Sequence, residues 1–316
     1  MIRYIARRIL FIIPVALLVS FMTFMIIHII PGDPARLLLG EFATPQSLAA
    51  LRQQLGLDKP LLEQFALWVW QLFHGNLGQS IQLQQPVLDA ITQRLPVTAE
   101  LGICSLLFSL AIAFPLGIYS ATHRNTRLDW LMNVLILFST AIPSFVLGLV
   151  LIFVFAVSIR IFPAGGYIPF NQDPLNNIRD LILPMVALGT GAVAGNMRQI
   201  RASMIEVLGQ DYIRMARAKG IGERRINYSH ALRNAVIPVL TIIGIQVGSI
   251  IAGTFVIETI YLWPGVGQLA VTSIFSKDYP VIQGIVLLSA FFYMGANLLV
   301  DISYVLLDPR IRLGQE

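Results

Sequence analysis

Long runs without charged side chains recur along this chain, and they constrain the fold more than any other feature. The first run covers residues 9–30, where His28 is the only ionisable side chain. The others cover residues 101–120, 131–159, 181–197, 235–257 and 279–300. About 20 apolar residues are enough for a helix to cross the hydrocarbon core of a bilayer. We therefore predict an all-α polytopic membrane protein with six transmembrane helices.

Other broad classes fit the sequence poorly. Charged residues make up only 12% of the chain, whereas soluble domains contain about 25%. Strands of membrane β-barrels alternate apolar and polar residues in segments of about 10 residues, unlike these continuous runs. The first run exceeds the roughly 7–15 apolar residues of a signal peptide, so we expect an uncleaved first span. The one cysteine, Cys104, permits no internal disulfide and is expected to be a packed residue.

Basic residues are concentrated in the loops that alternate spans place on one side. Because cytoplasmic loops carry an excess of Lys and Arg, we predict that both termini are cytoplasmic. The predicted regions are residues 1–95, the first helix plus an extracytoplasmic loop, then a core at 96–307 that contains the other spans, and a cytoplasmic tail at 308–316. Within the first region, residues 61–73 form an amphipathic stretch with Trp68 and Trp70 suited to a bilayer interface, interpreted as an outer-face lid or scaffold.

Residues 206–238 are the only long, strongly charged segment in the second half of the chain. Its centre, 211–219, is rich in helix formers and ends at Gly220, which suits a left-handed C-terminal cap. Gly222 and Glu223 then open a second helical run, with a carboxylate near the positive end of the helix dipole. We predict a helix, a tight turn and a second helix between two spans, in a structured loop that docks something outside the membrane.

This segment resembles the cytoplasmic coupling loop (here 201–237) of binding-protein-dependent ABC importer permeases, especially the dipeptide, oligopeptide and nickel group. That group carries DY-x-R-x-AR-x-KG followed by H-x-LRNA, and the matching residues are Asp211, Tyr212, Arg214, Ala216, Arg217, Lys219, Gly220, His230, Leu232, Arg233, Asn234 and Ala235. The Glu-Ala-Ala triplet of the wider superfamily is replaced by Ala216-Arg217-Ala218, and Gly222 holds its glycine position. Further similarity lies at residues 32–34 (GDP), 75–80 (GNLGQS), 263–267 (WPGVG), 277–283 (KDYPVIQ) and 307–312 (LDPRIR).

The resemblance implies a type I ABC importer permease fold in the bacterial inner membrane. It implies a second homologous permease, in a heterodimer, together with two ABC ATPases and an extracytoplasmic solute-binding protein. ATP and Mg²⁺ would be bound by the ATPases, so no cofactor is expected on this chain, and no nucleic acid is expected as a partner. The helix at 211–220 would sit in an ATPase groove, where Ala216, Ala218 and Gly220 would allow close approach. Charge would come from Arg214, Arg217 and Lys219.

No residue pattern indicates catalysis or nucleotide binding. The sequence has no G-x-x-x-x-G-K-[ST] and no H-E-x-x-H, so we expect a transport subunit rather than an enzyme. The glycine-rich stretch at 189–195 misses G-x-G-x-x-G by one residue. We predict instead that Gly191 and Gly195, like Gly244 and Gly248, allow helices to pack closely.

Polar residues inside the predicted spans are candidates for the translocation pathway, because such residues are costly in lipid. An interhelical hydrogen bond is the alternative for each of them. The run 131–159 is longer than a span requires, so tilt or a kink at Pro143 is expected. The candidates are Asn133, Pro143, Asn196, Gln246, Glu258 and Gln283.

Two other functions remain open at this point, a proton-coupled secondary transporter and a membrane scaffold. The first would favour intramembrane carboxylates and repeated halves, and neither is evident. Members of the resembled group carry dipeptides, oligopeptides, glutathione, nickel or metallophores. By resemblance alone, residues 85–89, 163–167 and 307–312 lean toward nickel. Since no Cys/His cluster could hold a bare metal ion, a chelate or a peptide is the expected solute.

Overall fold

The computed structural model describes residues 2–29, 44–55 and 58–307, and most of these are helical. The GDP motif at 32–34 and the tail from residue 308 onward lie outside the described residues. The first half contains α1 (Ile2–Ile29), α2 (Pro45–Leu55), α3 (Leu61–Phe73), α4 (Val87–Thr92), α5 (Leu95–Thr122), α6 (Arg127–Ala141) and α7 (Ser144–Leu151), which continues as a π-helix over Ile152–Ser158.

The second half begins with the longest helix, α8 (Pro174–Leu208), followed by the short α9 (Asp211–Ala218). A turn leads to α10 (Glu223–Arg225), a π-helical stretch (Ile226–Ala231) and α11 (Leu232–Gly248). The chain ends with α12 (Ile250–Gly253), α13 (Phe255–Ile260), α14 (Val266–Phe275) and α15 (Tyr279–Leu307).

Five helical segments of the described chain are long and apolar enough to cross a membrane. They are Leu10–His28, Val87–Thr122, Pro174–Leu208, Glu223–Gly248 and Tyr279–Ser303. Each contains most or all of one predicted span, so the prediction of a polytopic helical membrane protein is confirmed at this level.

The predicted run 131–159 is not one helix. Helix α6 stops at Ala141, Ile142 adopts an extended conformation with ψ of 117°, and α7 begins after Pro143. A residue before proline is pushed out of the α region, and proline has no N–H for the helix ladder. The expected kink at Pro143 is therefore a complete break.

The run 235–257 also differs from its prediction. Helix α11 ends at Gly248, and residues up to 260 form the short helices α12 and α13. Ser249 lies between α11 and α12 with φ of −91° and ψ of 1°, outside the helical range. Glycine is a poor helix former, which is consistent with an end at this point.

By contact clustering the described residues form two compact units, one from Val97–Gln268 with 295–307, and the other from the described parts of Ile2–Pro96 with Leu269–Met294. In the second unit, α3 packs on α1 through aromatic rings. Phe65 lies 5.3 Å from Phe21 and 5.5 Å from Phe24, measured between ring centroids. Gln283 of α15 donates a hydrogen bond of 2.9 Å to the carbonyl of Thr23.

Asp278 joins two of the resemblance motifs within this second unit. Its buried carboxylate accepts hydrogen bonds from Ser80 Oγ at 2.5 Å, Gln82 N at 3.1 Å and Ile81 N at 3.2 Å. Ser80 Oγ also accepts from Leu83 N at 2.9 Å. The GNLGQS loop and the KDYPVIQ turn, 198 residues apart at this contact, thus form one hydrogen-bonded structure.

Replacing Ser80 by alanine is expected to loosen that loop. The change leaves the Leu83 N–H without its acceptor and removes one donor from Asp278. The free energy that holds the loop in this conformation should fall by about 1–3 kcal/mol. Limited proteolysis within residues 81–85 should become roughly fivefold faster or more, since 1 kcal/mol changes an opening equilibrium by about that factor. Ser276→Ala is the matched control, because this exposed hydroxyl bonds only backbone carbonyls. Equal cleavage rates in the two variants would contradict the assignment.

Candidate functional site

Helix α9 ends in a well-formed cap, as the sequence predicts. Gly220 has φ of +78°, in the left-handed region, and its N–H bonds the carbonyl of Arg217 at 2.9 Å. The N–H of Ile221 reaches back to the carbonyl of Ala216 at 3.2 Å. This pair of bonds is the Schellman motif, which satisfies carbonyls that a helix end otherwise leaves free. The turn after α9 is therefore defined by hydrogen bonds.

The inner face of α9 packs against the protein's own core. Ile213 is 0% exposed and Ala216 is 8% exposed, in one apolar cluster with Met204, Ile226 and Ala231. The sequence analysis assigned Ala216 to the face that meets a partner, and the structure places it on the opposite face. The reason is helical periodicity, since residues three apart share a face and Ile213 occupies the buried side.

The outer face of α9 carries an apolar side chain that sequence reasoning missed. Met215 is 60% exposed, and Tyr212, three residues earlier on the same face, is 39% exposed. Ala218 and Lys219 continue this exposed side. The sequence did contain a signal for this exposed side chain, because Met215 is an apolar residue between Arg214 and Arg217. We call Tyr212, Met215, Ala218 and Lys219 the outer face of α9.

Arg217 ties the two arms of the loop together rather than pointing away from it. Its Nε donates to Glu223 Oε1 at 2.7 Å, and a terminal nitrogen donates to Glu223 Oε2 at 3.3 Å. This two-point hydrogen bond raises the pKa of the Arg217 guanidinium above its usual value. Arg214 lies 3.2 Å from Asp211 in an exposed pair, which contributes little. Two of the three cations expected to meet a partner are therefore paired within the loop.

Arg224 and Arg225 differ, because no ion pair or hydrogen bond is recorded for their side chains within the described chain. With Gly222, Tyr228 and Ser229 they line an open hollow of about 630 Å³ beside α10. All five lining residues are exposed. The hollow is thus a basic surface feature of the segment that follows α9.

Tyr212 and Asn234 bring the two halves of the resemblance motif together. Asn234 Nδ2 donates to the Tyr212 hydroxyl at 2.7 Å and to the carbonyl of His230 at 3.4 Å. These bonds join α9 to the start of α11. The neighbouring Arg233 is exposed. His230 contributes its backbone to this loop packing.

A buried polar cluster lies on α8 where that helix approaches the loop. Arg201 Nε donates to Ser120 Oγ at 2.8 Å, and its terminal nitrogen donates to Asp129 at 3.2 Å. Ser120 in turn donates to Asp129. Burial alone would raise the pKa of Asp129, but hydrogen bonds from Ser120 and Arg201 outweigh it and lower the pKa. The cluster joins α5, α6 and α8, and no sequence motif announced it.

The polar pathway candidates that the structure describes form hydrogen bonds between helices. Asn196 is fully buried, and its Nδ2 donates to Ser109 Oγ at 2.9 Å. Gln246 Nε2 donates to Asn196 Oδ1 at 2.9 Å, and Gln283 bonds α1 as described above. Asn133 lies in α6, but its side chain is outside the described part of the structure.

Glu258 lies inside a turn. It is 0% exposed, and its carboxylate accepts from Thr98 Oγ1 at 2.8 Å and from Gln268 N at 2.9 Å. A Cβ added at Gly265 would lie 2.4 Å from this carboxylate, and one at Gly267 would lie 2.8 Å from it. The WPGVG motif therefore wraps around Glu258, and its glycines provide the room.

The glycines predicted to pack helices divide into two groups. A Cβ at Gly244 would lie 1.7 Å from Val300 Cγ2, so α11 and α15 approach closely there. Gly248 is buried. At Gly191 and Gly195 an added Cβ would meet nothing within 4 Å in the described chain, so neither glycine marks a close approach there.

Comparison with known proteins shows which family the chain belongs to. The model of the family described as binding-protein-dependent transport system inner membrane component matches residues 113–313, and its N-terminal counterpart matches residues 1–102. The dipeptide transport system permease protein DppB of Escherichia coli K12 is 38% identical over 336 residues, covering 99% of each chain.

Two further relatives extend the comparison. DppB of Alkalihalophilus pseudofirmus is 39% identical over 333 residues, covering 99% of this chain and 100% of its own. A Brucella abortus (strain 2308) protein, provisionally named as a peptide transport system permease protein, is 40% identical over 308 residues and 98% of each chain. On this evidence the chain belongs to the family of binding-protein-dependent transport system inner membrane components: it is a non-enzymatic, multi-pass permease subunit of an ABC importer in the bacterial inner membrane.

Proposed function

We propose that this permease translocates short peptides and is driven by ATPase subunits that dock on the outer face of α9. The observation that carries the docking role is the exposure of Met215 and Tyr212 on a helix whose other face is buried. The names of the relatives support peptides as the cargo. The leaning of residues 85–89 and 163–167 toward nickel rests on resemblance alone, and the names of these relatives do not add to it.

The loop is built to transmit force. The Schellman cap, the Arg217–Glu223 contact and the Tyr212–Asn234 bond fix α9 relative to α10 and α11. The cluster of Ile213, Ala216 and their neighbours joins α9 to α8. A push on α9 would therefore displace two membrane-crossing helices instead of bending a loop. In this mechanism nucleotide and loaded binding protein each bias an equilibrium between two packings of the spans.

The proposed topology has six crossings with both termini in the cytoplasm. Five crossings correspond to the continuous helical segments, and α6 and α7 together supply the sixth as a broken pair. The basic residues of the loop between α8 and α11 then lie in the cytoplasm, as the positive-inside rule favours. The proposed complex contains a second homologous permease, two ATPases that bind ATP and Mg²⁺, and an extracytoplasmic solute-binding protein. The open sides of Gly191 and Gly195 would be available to the second permease.

The proposal is tested with the full complex, purified in lipid nanodiscs with its permease partner, both ATPases and the binding protein. We expect ATP hydrolysis to rise when peptide-loaded binding protein is added, and mass spectrometry to identify peptides released from that protein. Uptake that needs a proton gradient but no ATP would overturn the proposal in favour of a secondary transporter. A chain that never copurifies with an ATPase would favour a scaffold.

Reversing both charges in the hollow, with Arg224→Glu and Arg225→Glu, is expected to weaken ATPase association. Charges at an interface speed association and are screened by salt. We expect roughly 10-fold weaker binding at low salt, with the difference shrinking as the salt concentration rises toward about 0.5 M. The measurement is a salt series of ATPase binding to the permease pair in nanodiscs.

The matched control for this pair carries Arg124→Glu and Arg127→Glu, the same charge change on two exposed residues, one in the loop before α6 and one at the first position of α6. We expect it to bind nearly as tightly as the unchanged permease. Equal losses in the two double variants, or a loss that salt does not reduce, would contradict a specific contact at the hollow.

A further inference from the structure

Helix α3 has two apolar faces, and only one of them is covered in its unit. The covered face carries Phe65 and Trp68, which pack on α1 through Phe24 at centroid distances of 5.5 and 5.6 Å. On the same side Gln64 Oε1 lies 3.1 Å from His28 Nε2. These contacts fix α3 against the last two turns of α1.

The second apolar face is exposed along the whole helix. Leu62, Trp70 and Phe73 are 74%, 65% and 82% exposed. With the exposed Ala66 they follow helical spacing of four, four and three residues, so they share one face. No charged side chain lies in this row, which we call the free face of α3.

A third side of α3 is mainly polar, although Leu67 on that side is 41% exposed. Glu63 forms an ion pair of 2.7 Å with Lys59 at the start of the helix, and Gln71 and His74 are exposed toward its end. A helix with an apolar row, a polar side and aromatic residues along one edge is typical of segments that lie in the plane of a membrane interface. Tryptophan is enriched at that depth, because its ring is apolar and its N–H is polar.

The position of α3 on α1 indicates what covers the free face. Helix α1 contains the span Leu10–His28, and its side chains Leu18 and Met22 are 59% and 64% exposed. Phe21, which contacts α3, is the direct neighbour of Met22. A span with exposed apolar side chains faces lipid, so α3 is attached beside the lipid-facing surface of α1, near the end of that span.

We propose that α3 lies in the plane of the bilayer interface at the C-terminal end of α1, with Leu62, Trp70 and Phe73 inserted among the lipid chains. The polar side then faces the headgroups and water. The helix anchors the loop that contains residues 44–86 to the membrane surface, so that the loop is held near the spans instead of extending into solution. This inference rests on neither the cargo nor the docking of an ATPase.

The test is spin-label accessibility in the full complex in nanodiscs. Single cysteines are introduced by Trp70→Cys, Phe73→Cys and Gln71→Cys, each in a Cys104→Ser background, and are labelled with a nitroxide. Oxygen concentrates in lipid, whereas chromium oxalate stays in water. We expect oxygen collisions to dominate at positions 70 and 73, and chromium oxalate collisions to dominate at position 71, the matched control on the polar side.

Two results would overturn the proposal. Equal access of chromium oxalate to positions 70, 71 and 73 would place the free face in water. Alternatively, positions 70 and 73 could be shielded from both reagents, which would show that another protein covers this face. Two labelled positions on the free face keep the test informative if one variant expresses poorly.

Discussion

Replacing Met215 by glutamate is expected to abolish ATP-driven uptake while leaving the permease inserted and folded. Met215 is 60% exposed, so the change should not disturb the core beneath α9. At an interface the same side chain would be desolvated, and a buried unpaired carboxylate is strongly unfavourable. Central interface residues contribute about 2 kcal/mol or more, which corresponds to roughly 30-fold weaker ATPase binding. Copurification of the ATPase and peptide-dependent uptake are the measurements.

Met215→Leu is the matched control, since a volume-conserving apolar replacement is tolerated best. It should bind the ATPase and transport nearly as well as the unchanged chain. Normal uptake by a well-expressed Met215→Glu variant would refute docking on the outer face of α9. A variant that loses uptake but retains the ATPase would place Met215 in transmission rather than in binding.

The sequence alone suggests a different experiment, and the structure explains why that experiment is less specific. Because the sequence predicts close approach at Ala216, it favours Ala216→Trp as the variant that blocks docking without affecting insertion. Ala216 lies in the core cluster beside Ile213, where a tryptophan would overpack the loop's own interior. Loss of transport in that variant would report on loop packing as well as on docking. Gly220→Pro is also ambiguous, because it destroys the left-handed cap.

Local sequence patterns predicted a helix or its end well where a single residue or a continuous apolar run determines it. The α9 cap depends on Gly220 alone, and the spans depend on continuous apolar runs. The break at Pro143 was predicted only as a kink, because a proline's effect depends on whether neighbours restore the ladder. The end of α11 at Gly248 was missed, since apolar composition continues through residue 257.

Contacts between residues far apart in sequence could not be predicted in this way. No local pattern shows that Arg201 meets Ser120 and Asp129, or that Ser80 meets Asp278. The same limit applied to the choice of face on α9. Asp211–Lys219 contains charged residues all around the helix, and only the packed core shows that Ile213 and Ala216 are inside. The sequence analysis therefore did not single out Arg224 and Arg225, which lie outside the helix it favoured and line the exposed hollow.

Replacing Glu258 by alanine is expected to destabilise the protein strongly. The carboxylate accepts from the Thr98 hydroxyl and the Gln268 N–H in a fully buried site. Removing it leaves both donors without partners, at about 1–3 kcal/mol each, and opens a cavity between two glycines that approach it closely. We expect the free energy of unfolding to fall by about 3–5 kcal/mol in total. The thermal unfolding midpoint of the purified complex should fall by roughly 5–10 °C.

Glu258→Gln separates this structural role from a role in the translocation pathway. The amide oxygen can accept from Gln268 N while the amide nitrogen donates to Thr98 Oγ1, so both contacts persist and only the Thr98 hydroxyl hydrogen loses its acceptor. If Glu258 acts by holding the WPGVG turn, the glutamine variant should retain most stability and most uptake. If its charge handles the cargo, the glutamine variant should keep its midpoint and lose uptake. The burial of Glu258 and the uncharged nature of both donors favour the first outcome, so unchanged stability with lost transport would restore Glu258 to the pathway.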